Sequence, residues 1–473
     1  MRVSMAVGRS LGVVLVLSLV PVVATARQEG KVDLGLQAVE VLQSYLRIDS
    51  SNPPGNEAQA AAFLAHHLED AGIPYEVFES APGRANLYAR LHGDGSRGGA
   101  IVLLHHMDVV PVDDLSWNVD PFSGVVLNEF IYGRGVLDSK AYGAVQLVTF
   151  LALHEAGIPL GRDIILLATA DEEAGGGLGA GHVAKHRPDL LEGAEFVLTE
   201  GGGARDVAGR QVHFVEVSQK TPLWLRLRVT GPSGHGARPL RDSAVNRLVR
   251  ALERIRIYRG EIKLVPAVAE ALRARASYLV DPAMAEAFRN IETSIGDPAF
   301  LAALIEEMEP LLRNTISITV LNGAPYTNVI PPEATADLDC RLLPGEDAHR
   351  FIATLVDVID DPGIEIESLL AVRAAESRPG TPLWRALEAT ARAQDPAAIL
   401  VPNVIPGFTD SHFFRELGIV AYGWTPFVSS PREGPAHGAN ERMLVANVER
   451  GPSILRDLLL RLALSREAVG TVR

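Results

Sequence analysis

Residues 100–108 have the sequence AIVLLHHMD, in which a short apolar run ends in side chains that bind metals. A run of this length and composition predicts a buried strand. Because side chains two residues apart in a strand share a face, we expect Asp108 beside His106 and His105 on the opposite side. A carboxylate beside an imidazole is a common way to orient a metal-binding histidine. The pattern therefore predicts a metal ligand at His106 and a structural role for His105.

The segments around this strand alternate between helical and extended patterns. Helical spacing of apolar residues predicts helices over 32–47, 56–71 and 140–155, and short apolar runs predict strands over 75–78, 86–91 and 163–169. Such alternation predicts an α/β fold with a mixed, largely parallel sheet between layers of helices. Ligands of such sheets usually bind at the strand ends, where the two histidines lie.

The pattern changes in the middle of the chain. Residues 219–374 predict a small α+β lid domain, in which residues 266–313, rich in Ala, Leu and Glu, form a helical insertion. The α/β pattern then resumes. We therefore expect a lid inserted into a catalytic domain whose two parts span residues 27–218 and 375–473.

The composition restricts the class of protein. Of 473 residues, 47% are hydrophobic and 22% are charged, and the formal net charge is −14. These values are typical of a globular chain long enough for two domains, and the acidic balance argues against binding to nucleic acid or anionic lipid. The single cysteine, Cys340, excludes an internal disulfide and a cysteine cluster. Any metal must therefore be held by histidines and carboxylates.

The first 26 residues resemble an export signal. Arg2 and Arg9 precede the apolar run 11–23, and the small residues 24–26 (ATA) suit a cleavage site. We expect cleavage after Ala26 and a periplasmic or extracellular protein. An uncleaved membrane anchor is the alternative, although the run is short for a span of about 20 residues. No later stretch is expected to be apolar enough to cross a bilayer.

Four further polar clusters interrupt the apolar pattern. Residues 133–140 (GRGVLDSK) place Asp138 in a glycine-rich turn at a helix start, residues 171–173 (DEE) follow a predicted strand, Glu200 precedes three glycines, and His437 lies late in the chain. Taken alone, Asp138 is better explained as an ordinary helix N-cap. The acidic run, taken alone, could be a solvated loop.

Together these clusters supply the donors for two divalent cations. Such a pair needs one shared carboxylate, with one histidine and one further carboxylate for each ion. The five candidate donors are His106, Asp138, Glu173, Glu200 and His437. Glu172 remains as a general base for a water molecule.

The motifs are similar, in order and spacing, to those of the M20 metallopeptidases, the family of glutamate carboxypeptidase, aminoacylase-1 and carboxypeptidase S. The matching stretches are 106–111 (HMDVVP), 133–140, 171–173, 200–202 (EGG) and His437. The resemblance covers essentially the whole chain after the signal, including the lid. It implies a zinc-peptidase catalytic domain with two Zn²⁺ ions per chain, for which Co²⁺ or Mn²⁺ could substitute.

The resemblance also implies how the donors divide. Asp138 would bridge the two zinc ions. His106 and Glu200 would complete the site of one ion, and Glu173 and His437 the site of the other.

Three residues would act in catalysis by the same resemblance. Glu172 would be the base and later the proton donor, and Asp108 would orient its histidine neighbour. In the lid, residues 231–236 (GPSGHG) resemble a loop whose histidine, here His235, polarises the scissile carbonyl, often from the partner subunit. A solvated loop histidine is the simpler interpretation of His235 without the family.

Substrate contacts are implied at four positions. Asn328 would touch the substrate, and Arg341 would bind its free carboxylate, a task suited to a planar guanidinium. Gly407 and Ser411 match a family loop next to the site. Without the family, a surface-paired strand arginine would be the preferred interpretation of Arg341.

Some positions depart from the family pattern. Residues 407–412 read GFTDSH, where the family often has Gly-Gly-Thr-Asp-Ser-Arg, so that Phe408 and His412 are unusual. Thr199 stands where an acid often precedes the ligand glutamate, and His105 where a small residue is common. None of these changes removes a predicted metal ligand.

The predicted function is hydrolysis of an amide bond next to a free carboxylate, by an N-acyl amino acid hydrolase or a carboxypeptidase. The helical insertion and residues 422–427 (YGWTPF) most resemble the carboxypeptidase S branch, which includes secreted enzymes acting on N-fatty-acyl amino acids. The alternatives are a non-catalytic metal-binding protein and a cytosolic deacylase for small acyl groups. The family's dimers form through the lid, and a homodimer is left open here.

Overall fold

The computed structural model describes residues 33–113, 116–373 and 375–465, so the predicted signal peptide lies outside the described residues. The helices are α1 (Leu34–Leu46), α2 (Glu57–Asp70), α3 (Ala141–Glu155), α4 (Ala180–His186), α5 (Ala244–Ile257), α6 (Pro266–Arg275), α7 (Pro282–Arg289), α8 (Ile291–Ser294), α9 (Pro298–Leu312), α10 (Ala348–Ile359), α11 (Pro382–Gln394), α12 (Ser411–Glu416) and α13 (Val445–Ala463).

The strands are β1 (Tyr75–Ala81), β2 (Arg84–Leu91), β3 (Ala100–His106), β4 (Val126–Leu127), β5 (Phe130–Tyr132), β6 (Ile164–Thr169), β7 (Ala194–Thr199), β8 (Gly203–Val207), β9 (Arg210–Gln219), β10 (Thr221–Thr230), β11 (Gly234–His235), β12 (Thr315–Asn322), β13 (Val329–Ile330), β14 (Glu333–Leu342), β15 (Ile364–Ala371), β16 (Ile399–Ile405), β17 (Val420–Gly423) and β18 (Arg442–Leu444). The elements predicted between residues 32 and 169 are all present, with ends shifted by a few residues.

A nine-stranded mixed sheet forms the centre of the larger part of the structure. Its order is β1-β2-β6-β3-β7-β17-β9-β16, with β8 paired to β9. Strands β6, β3, β7 and β17 are mutually parallel. The ends of β6, β3 and β7 therefore lie side by side at one edge, and the loops that follow them are brought together.

Strand β3 is buried on both faces because helices cover the sheet on each side. Ile101 and Leu103 pack into the core with α1, α2, α3, α11 and α13, whereas Val102 and Leu104 pack with α4 and α12. This explains the continuous apolar run that the sequence shows at this strand. The predicted α/β class with a largely parallel central sheet is confirmed.

A second, four-stranded antiparallel sheet has the order β12-β14-β10-β15. Its apolar side chains pack with those of α5 and α10 in a separate core. This α+β unit is the predicted lid. Strand β9 ends at Gln219 and β10 begins at Thr221, but the domain boundaries as residue numbers stay a prediction.

The predicted helical insertion consists of α6 to α9. These helices share a small apolar core that also includes Val404 of β16, the last strand of the central sheet. The insertion therefore packs against the central sheet within the same chain. Whether the protein forms a dimer through the lid stays a prediction.

One helical run within the described residues, Val136–Glu155, is long and apolar enough to cross a membrane by length and composition. The expectation that no stretch after the signal would meet this test is therefore wrong. The most apolar window of the run is 89% buried inside the protein. Since α3 lies in the core beneath the sheet, its apolar composition is explained by packing.

Candidate metal centre

The five predicted metal donors lie together at the ends of the parallel strands and form two groups that share Asp138. We call His106, Asp138 and Glu200 the inner group, and Asp138, Glu173 and His437 the outer group. In each group the ligand atoms lie within 4.8 Å of one another. This is the division that the family resemblance implies. Metal binding by these residues stays a prediction.

The inner group is built on the ends of two neighbouring core strands. His106 is the last residue of β3, and its Nε2 atom lies 2.9 Å from Asp138 Oδ1 and 3.4 Å from Glu200 Oε1. Glu200 directly follows β7. Just after Glu200 the backbone passes very close to residue 423. Only glycine fits at position 202, since a Cβ there would lie 2.2 Å from the carbonyl oxygen of Gly423. Burial and the negative charge of Asp138 raise the pKa of Glu200 to about 8.

The outer group combines a buried carboxylate with a more exposed histidine. His437 Nε2 lies 3.1 Å from Asp138 Oδ2 and 3.3 Å from Glu173 Oε2. The hydrogen bonds to Asp138 and Glu173 raise the pKa of His437 to about 10. Although burial acts in the opposite direction, hydrogen bonds from His106 and His437 hold the pKa of Asp138 well below its usual range.

Asp108 connects His106 to the acidic loop. The Nδ1 atom of His106 lies 3.0 Å from the Asp108 carbonyl oxygen and 3.5 Å from its carboxylate. The same carboxylate accepts hydrogen bonds from the backbone N–H groups of Glu172 at 3.1 Å and Glu173 at 3.2 Å, and from the Asn52 side chain at 2.8 Å. Asp108 therefore holds the proposed base and an outer donor in place as well as orienting the imidazole.

Glu172 is buried beside both donor groups but belongs to neither. Burial, together with the negative charge of Glu200, raises its pKa well above its usual range. A carboxylate of raised pKa next to two cation sites is suited to accept and return a proton. His105 points away from the site, as expected, with Nδ1 3.0 Å from Gln146 Oε1 and Nε2 3.5 Å from the Tyr45 hydroxyl.

A buried ion pair joins the two loops that carry Asp138 and His437. Arg134 Nη1 donates to Glu441 Oε2 at 2.8 Å and to the Gly438 carbonyl at 3.0 Å, and Nη2 donates to the His437 carbonyl at 3.4 Å. The Glu441 carboxylate in turn accepts the backbone N–H of Leu137 at 2.8 Å. The pair therefore contacts the chain next to both Asp138 and His437.

A second network supports the acidic loop from the N-terminal side. The guanidinium of Arg84 makes two hydrogen bonds of 2.7 Å to Glu57 and one of 2.9 Å to Asp171. Asp171 Oδ2 accepts the backbone N–H of Leu178 at 3.0 Å, which closes the loop after Glu173. Asp171 therefore has a structural role, distinct from the two acidic residues that follow it.

The chemistry of this cluster fits two divalent cations. The Oε1 atom of Glu173 is buried and has no hydrogen-bond partner among the described residues. Grouped carboxylates repel one another when nothing positive lies between them, and carboxylate oxygens with imidazole nitrogens are ligands of zinc, cobalt and manganese. The carboxylates concerned are Asp108, Asp138, Glu172, Glu173, Glu200 and Asp410.

Two of the predicted lid residues lie together on an exposed ribbon. His235 in β11 pairs with Val329 in β13, and the N–H of Gly236 donates to the carbonyl of Asn328 at 2.8 Å. The side chains of His235 and Asn328 are both exposed. Neither residue belongs to the two donor groups, so their predicted substrate contacts stay predictions.

Arg341 lies on β14 and is paired with Asp339 of the same strand, as in the alternative interpretation, with 21% of its side chain exposed. Its guanidinium makes hydrogen bonds of 2.7 and 3.0 Å to Asp339 and lies 5.1 Å from the ring centre of Phe408. Its Nη1 atom is buried and has no hydrogen-bond partner in the described part of the chain. Phe408, which departs from the family pattern, therefore stacks on the predicted carboxylate-binding residue. Gly407 next to it is exposed.

Ser411 is completely buried, and its side chain stabilises the loop of residues 407–412. Its hydroxyl accepts a hydrogen bond from Thr409 at 2.9 Å and donates to Glu216 at 3.4 Å. Glu216 also forms a buried ion pair of 2.7 Å with Arg415. His412 is turned towards Glu416 at 3.5 Å. The predicted contact between Ser411 and substrate stays a prediction, since this side chain has no exposed surface here.

Several supporting residues had no predicted role. Arg134 lies in the glycine-rich motif 133–140 and Glu441 lies four residues after His437, and a charged residue so close to a predicted ligand was a usable signal. No comparable signal marked Asn52, Glu57 or Arg84, because these residues come close to the acidic loop only when the chain folds.

A parallel sheet whose strand ends present two histidine–carboxylate groups with a shared aspartate defines a class of hydrolases that use two metal ions. Comparison with known families agrees with this class. The model of Peptidase family M20/M25/M40 matches residues 102–461. The chain belongs to this family of peptidases and amidohydrolases.

Individual relatives share the fold at low identity. Pig (Sus scrofa) aminoacylase-1 is 26% identical over 90% of this chain and 95% of its own length. Mouse (Mus musculus) N-fatty-acyl-amino acid synthase/hydrolase PM20D1 is also 26% identical, over 74% of this chain and 71% of its own. The M20 family metallo-carboxypeptidase Sso-CP2 from Sulfolobus solfataricus superposes with a TM-score of 0.71 at 21% identity, covering 90% of this chain and 99% of its own.

Proposed function

We propose that the protein hydrolyses the amide bond of N-acyl amino acids with two zinc ions held by the inner and outer groups. The observation that carries this proposal is the assembly of four donors around the shared Asp138, with Glu172 buried beside them and part of neither group. Two zinc ions bound there would polarise the scissile carbonyl and make a water molecule more acidic.

Side chains of the protein would then transfer the proton and stabilise the oxyanion. Glu172 accepts a proton from the attacking water and returns it to the leaving amine nitrogen as the carbon–nitrogen bond breaks. The bond from its backbone N–H to Asp108 keeps this carboxylate in position. His235 would donate to the oxyanion when the lid closes or when a partner subunit supplies it.

Arg341 is proposed to select the substrate by its free carboxylate. Its Nη1 atom is buried and unpaired among the described residues, while Asp339 and Phe408 hold the guanidinium plane. A guanidinium fixed in this way is well suited to bind a carboxylate. An amino acid carboxylate would therefore be bound in the lid, with the acyl group on the other side of the scissile bond.

The relatives support an acylated amino acid as substrate. Aminoacylase-1 and N-fatty-acyl-amino acid synthase/hydrolase PM20D1 carry such a substrate class in their names, and both match most of this chain. The intact general base speaks against a non-catalytic metal-binding protein.

The test is amide hydrolysis by the purified protein on N-acyl amino acids and on dipeptides, with and without a chelator and with zinc added back. Cleavage of N-acyl amino acids that a chelator abolishes and zinc restores is the expected result. Preference for dipeptides would instead indicate a peptidase. No cleavage by zinc-loaded protein would contradict the proposal.

Export is proposed as a separate property, from the signal-like residues 1–26. Sequencing the mature N-terminus from the producing cell is the test. A mature chain that starts after Ala26 is expected. A chain that retains Met1 would favour the uncleaved anchor if it is found in the membrane fraction, and the cytosolic deacylase if it is found in the cytosol.

A further inference from the structure

A cavity of about 860 Å³ opens next to the metal centre. Its wall includes the donor carboxylates Asp138 and Glu200. A volume of this size is within the range of small-molecule sites, about 300–1,000 Å³. Arg341 does not line the cavity, so the proposed carboxylate-binding residue is outside it. The cavity therefore offers space to a different part of the substrate.

The helical insertion forms part of this wall. Tyr278, which follows α6, lines the cavity together with Arg275 and with Glu307 of α9. The edge of the Tyr278 ring packs against Phe214 of β9, with ring centres 5.6 Å apart at an interplanar angle of 83°. Arg210, also on β9, donates to the carbonyl of Ser277 at 2.6 Å. These contacts fasten the insertion to the central sheet at the cavity.

The charges in this part of the wall are paired or stacked. Arg275 forms an ion pair with Glu307, lies over the ring of Phe288 at 5.2 Å and contacts the sulfur of Met308 at 3.1 Å. Its charge is therefore neutralised within the insertion. Arg205 is exposed and lies 5.6 Å from the ring centre of Phe214.

The rest of the wall combines apolar and polar side chains. The apolar ones are Leu137, Val207, Phe214, Tyr278, Ile405, Pro406, Phe427 and Met443, and the polar ones are Asn403, Thr425, Ser429, Ser430 and Glu433. The Glu433 carboxylate accepts hydrogen bonds from the backbone N–H groups of Ser430 and Leu444. The apolar part of the wall favours an uncharged, flexible apolar group, because burial of apolar area is the main source of its affinity.

We propose that this cavity is an acyl subsite for a linear aliphatic chain, and that Tyr278 of the insertion and Ile405 of β16 determine the chain length accepted. The inference rests on the proposed N-acyl amino acid hydrolysis and deepens it. With the amino acid carboxylate in the lid and the scissile bond at the metal centre, the acyl chain extends into the cavity. Each methylene buried there should raise kcat/KM about fourfold.

The test measures kcat/KM for N-acyl derivatives of one amino acid, from acetyl to dodecanoyl. If three or four of the ten additional methylenes are buried, the wild-type ratio of dodecanoyl to acetyl should be about 100. Tyr278→Ala, which removes the aromatic wall, and Ile405→Trp, which fills the cavity, should each lower this ratio about tenfold. Glu292→Gln is the matched control, since Glu292 lies in the same insertion but pairs with Arg273 at the exposed surface. Its profile should equal the wild-type profile.

A binding measurement separates this inference from the proposed function. Zinc-loaded Glu172→Gln protein, titrated with N-dodecanoyl and N-acetyl amino acid, should bind the long chain at least tenfold more tightly. Tyr278→Ala in that background should remove most of the difference. Equal binding of the two ligands, or a hydrolysis profile that neither cavity variant alters in folded protein, would overturn the subsite. Tight long-chain binding without any hydrolysis by the wild type would support the subsite and contradict the proposed function.

Discussion

The inner and outer donor groups share Asp138 but are held by different parts of the fold. The inner His106 side chain is only 1% exposed and Glu200 14% exposed, and both lie at the ends of core strands. In the outer group Glu173 is 6% exposed, but the His437 side chain is 52% exposed and lies on a loop before β18. One half of the site thus belongs to the sheet and the other half to loops.

The inner and outer donors are therefore held in position in two different ways. The hydrogen-bond ladder of the sheet and packing on both faces fix the backbone of β3 and β7. Because His106 ends β3 and Glu200 follows β7, the core also fixes the positions of these two donors. The loops that carry Asp138 and His437 lie outside the central sheet, beside the short β5–β18 ladder, and the buried pair Arg134–Glu441 joins them. The outer ion should therefore be the easier one to lose.

The largest effect on activity should come from a substitution that lies outside both donor groups. Glu172→Gln removes the proposed base and should lower kcat about 10²–10⁴-fold. Both zinc ions should remain bound, as measured by metal analysis of the purified protein. Glu173→Gln is the contrasting variant, because it removes an outer donor and should leave one tightly bound ion. Loss of zinc from Glu172→Gln would show that Glu172 is a ligand instead.

The next effect tests whether the ion pair holds the outer group. Glu441→Gln keeps the shape of the side chain but leaves Arg134 without its charged partner, which should weaken the outer ion about 10–100-fold. The inner ion should change less. Competition with a chromophoric chelator measures both affinities.

Asp361→Asn is a suitable control for this prediction, because it breaks the pair of Asp361 with Arg247 in the lid, far along the chain from any donor. Equal weakening of both ions by Glu441→Gln would show that the loops and the strands act as one unit.

The number of protons released when zinc binds should also distinguish the inner group from the outer group, and this effect should be smaller than the preceding ones. In the metal-free protein the pKa of Glu200 is raised to about 8 by burial and that of His437 to about 10 by its hydrogen bonds with Asp138 and Glu173. At pH 7 both donors hold protons that zinc must displace, so affinity should rise with pH, up to tenfold per unit for each proton.

Calorimetry in buffers of different ionisation enthalpy counts these protons. His437→Ala, which retains only the inner group, should release about one proton fewer than the wild type at pH 7. Unchanged release in this variant would contradict the protonated state of His437.

The smallest effect on metal binding should follow a change in the core. Leu103→Ala in β3 removes a fully buried side chain and should lower the free energy of unfolding by about 2–5 kcal/mol. The hydrogen-bond ladder on both sides of β3 remains, so the inner ion should bind almost as before. Chemical denaturation and zinc competition measure the two quantities. A large loss of inner affinity would mean that side-chain packing, and not the ladder, positions His106.

Much of the fold could be predicted from local patterns. The apolar run 100–104 indicated the strand Ala100–His106, and alternating apolar residues indicate the lid strand Thr221–Thr230, because burial on two faces or on one leaves different periodicities. Strand β9 was not predicted, although it occupies ten residues before the lid. The insertion was predicted as helical, but nothing in its sequence indicated that it packs on β16 and lines the cavity.

The sequence by itself determined the donor types, because only histidines and carboxylates were available, and all of them except His437 followed a predicted strand or lay in a glycine-rich turn. Tertiary structure alone decided the rest. Asp138 and His437, 299 residues apart, meet only when the chain folds, and so do Arg134 and Glu441. The physical reason is that a motif records local backbone preference and chemistry, whereas distance, burial and charge pairing between remote segments depend on how the sheet and loops pack.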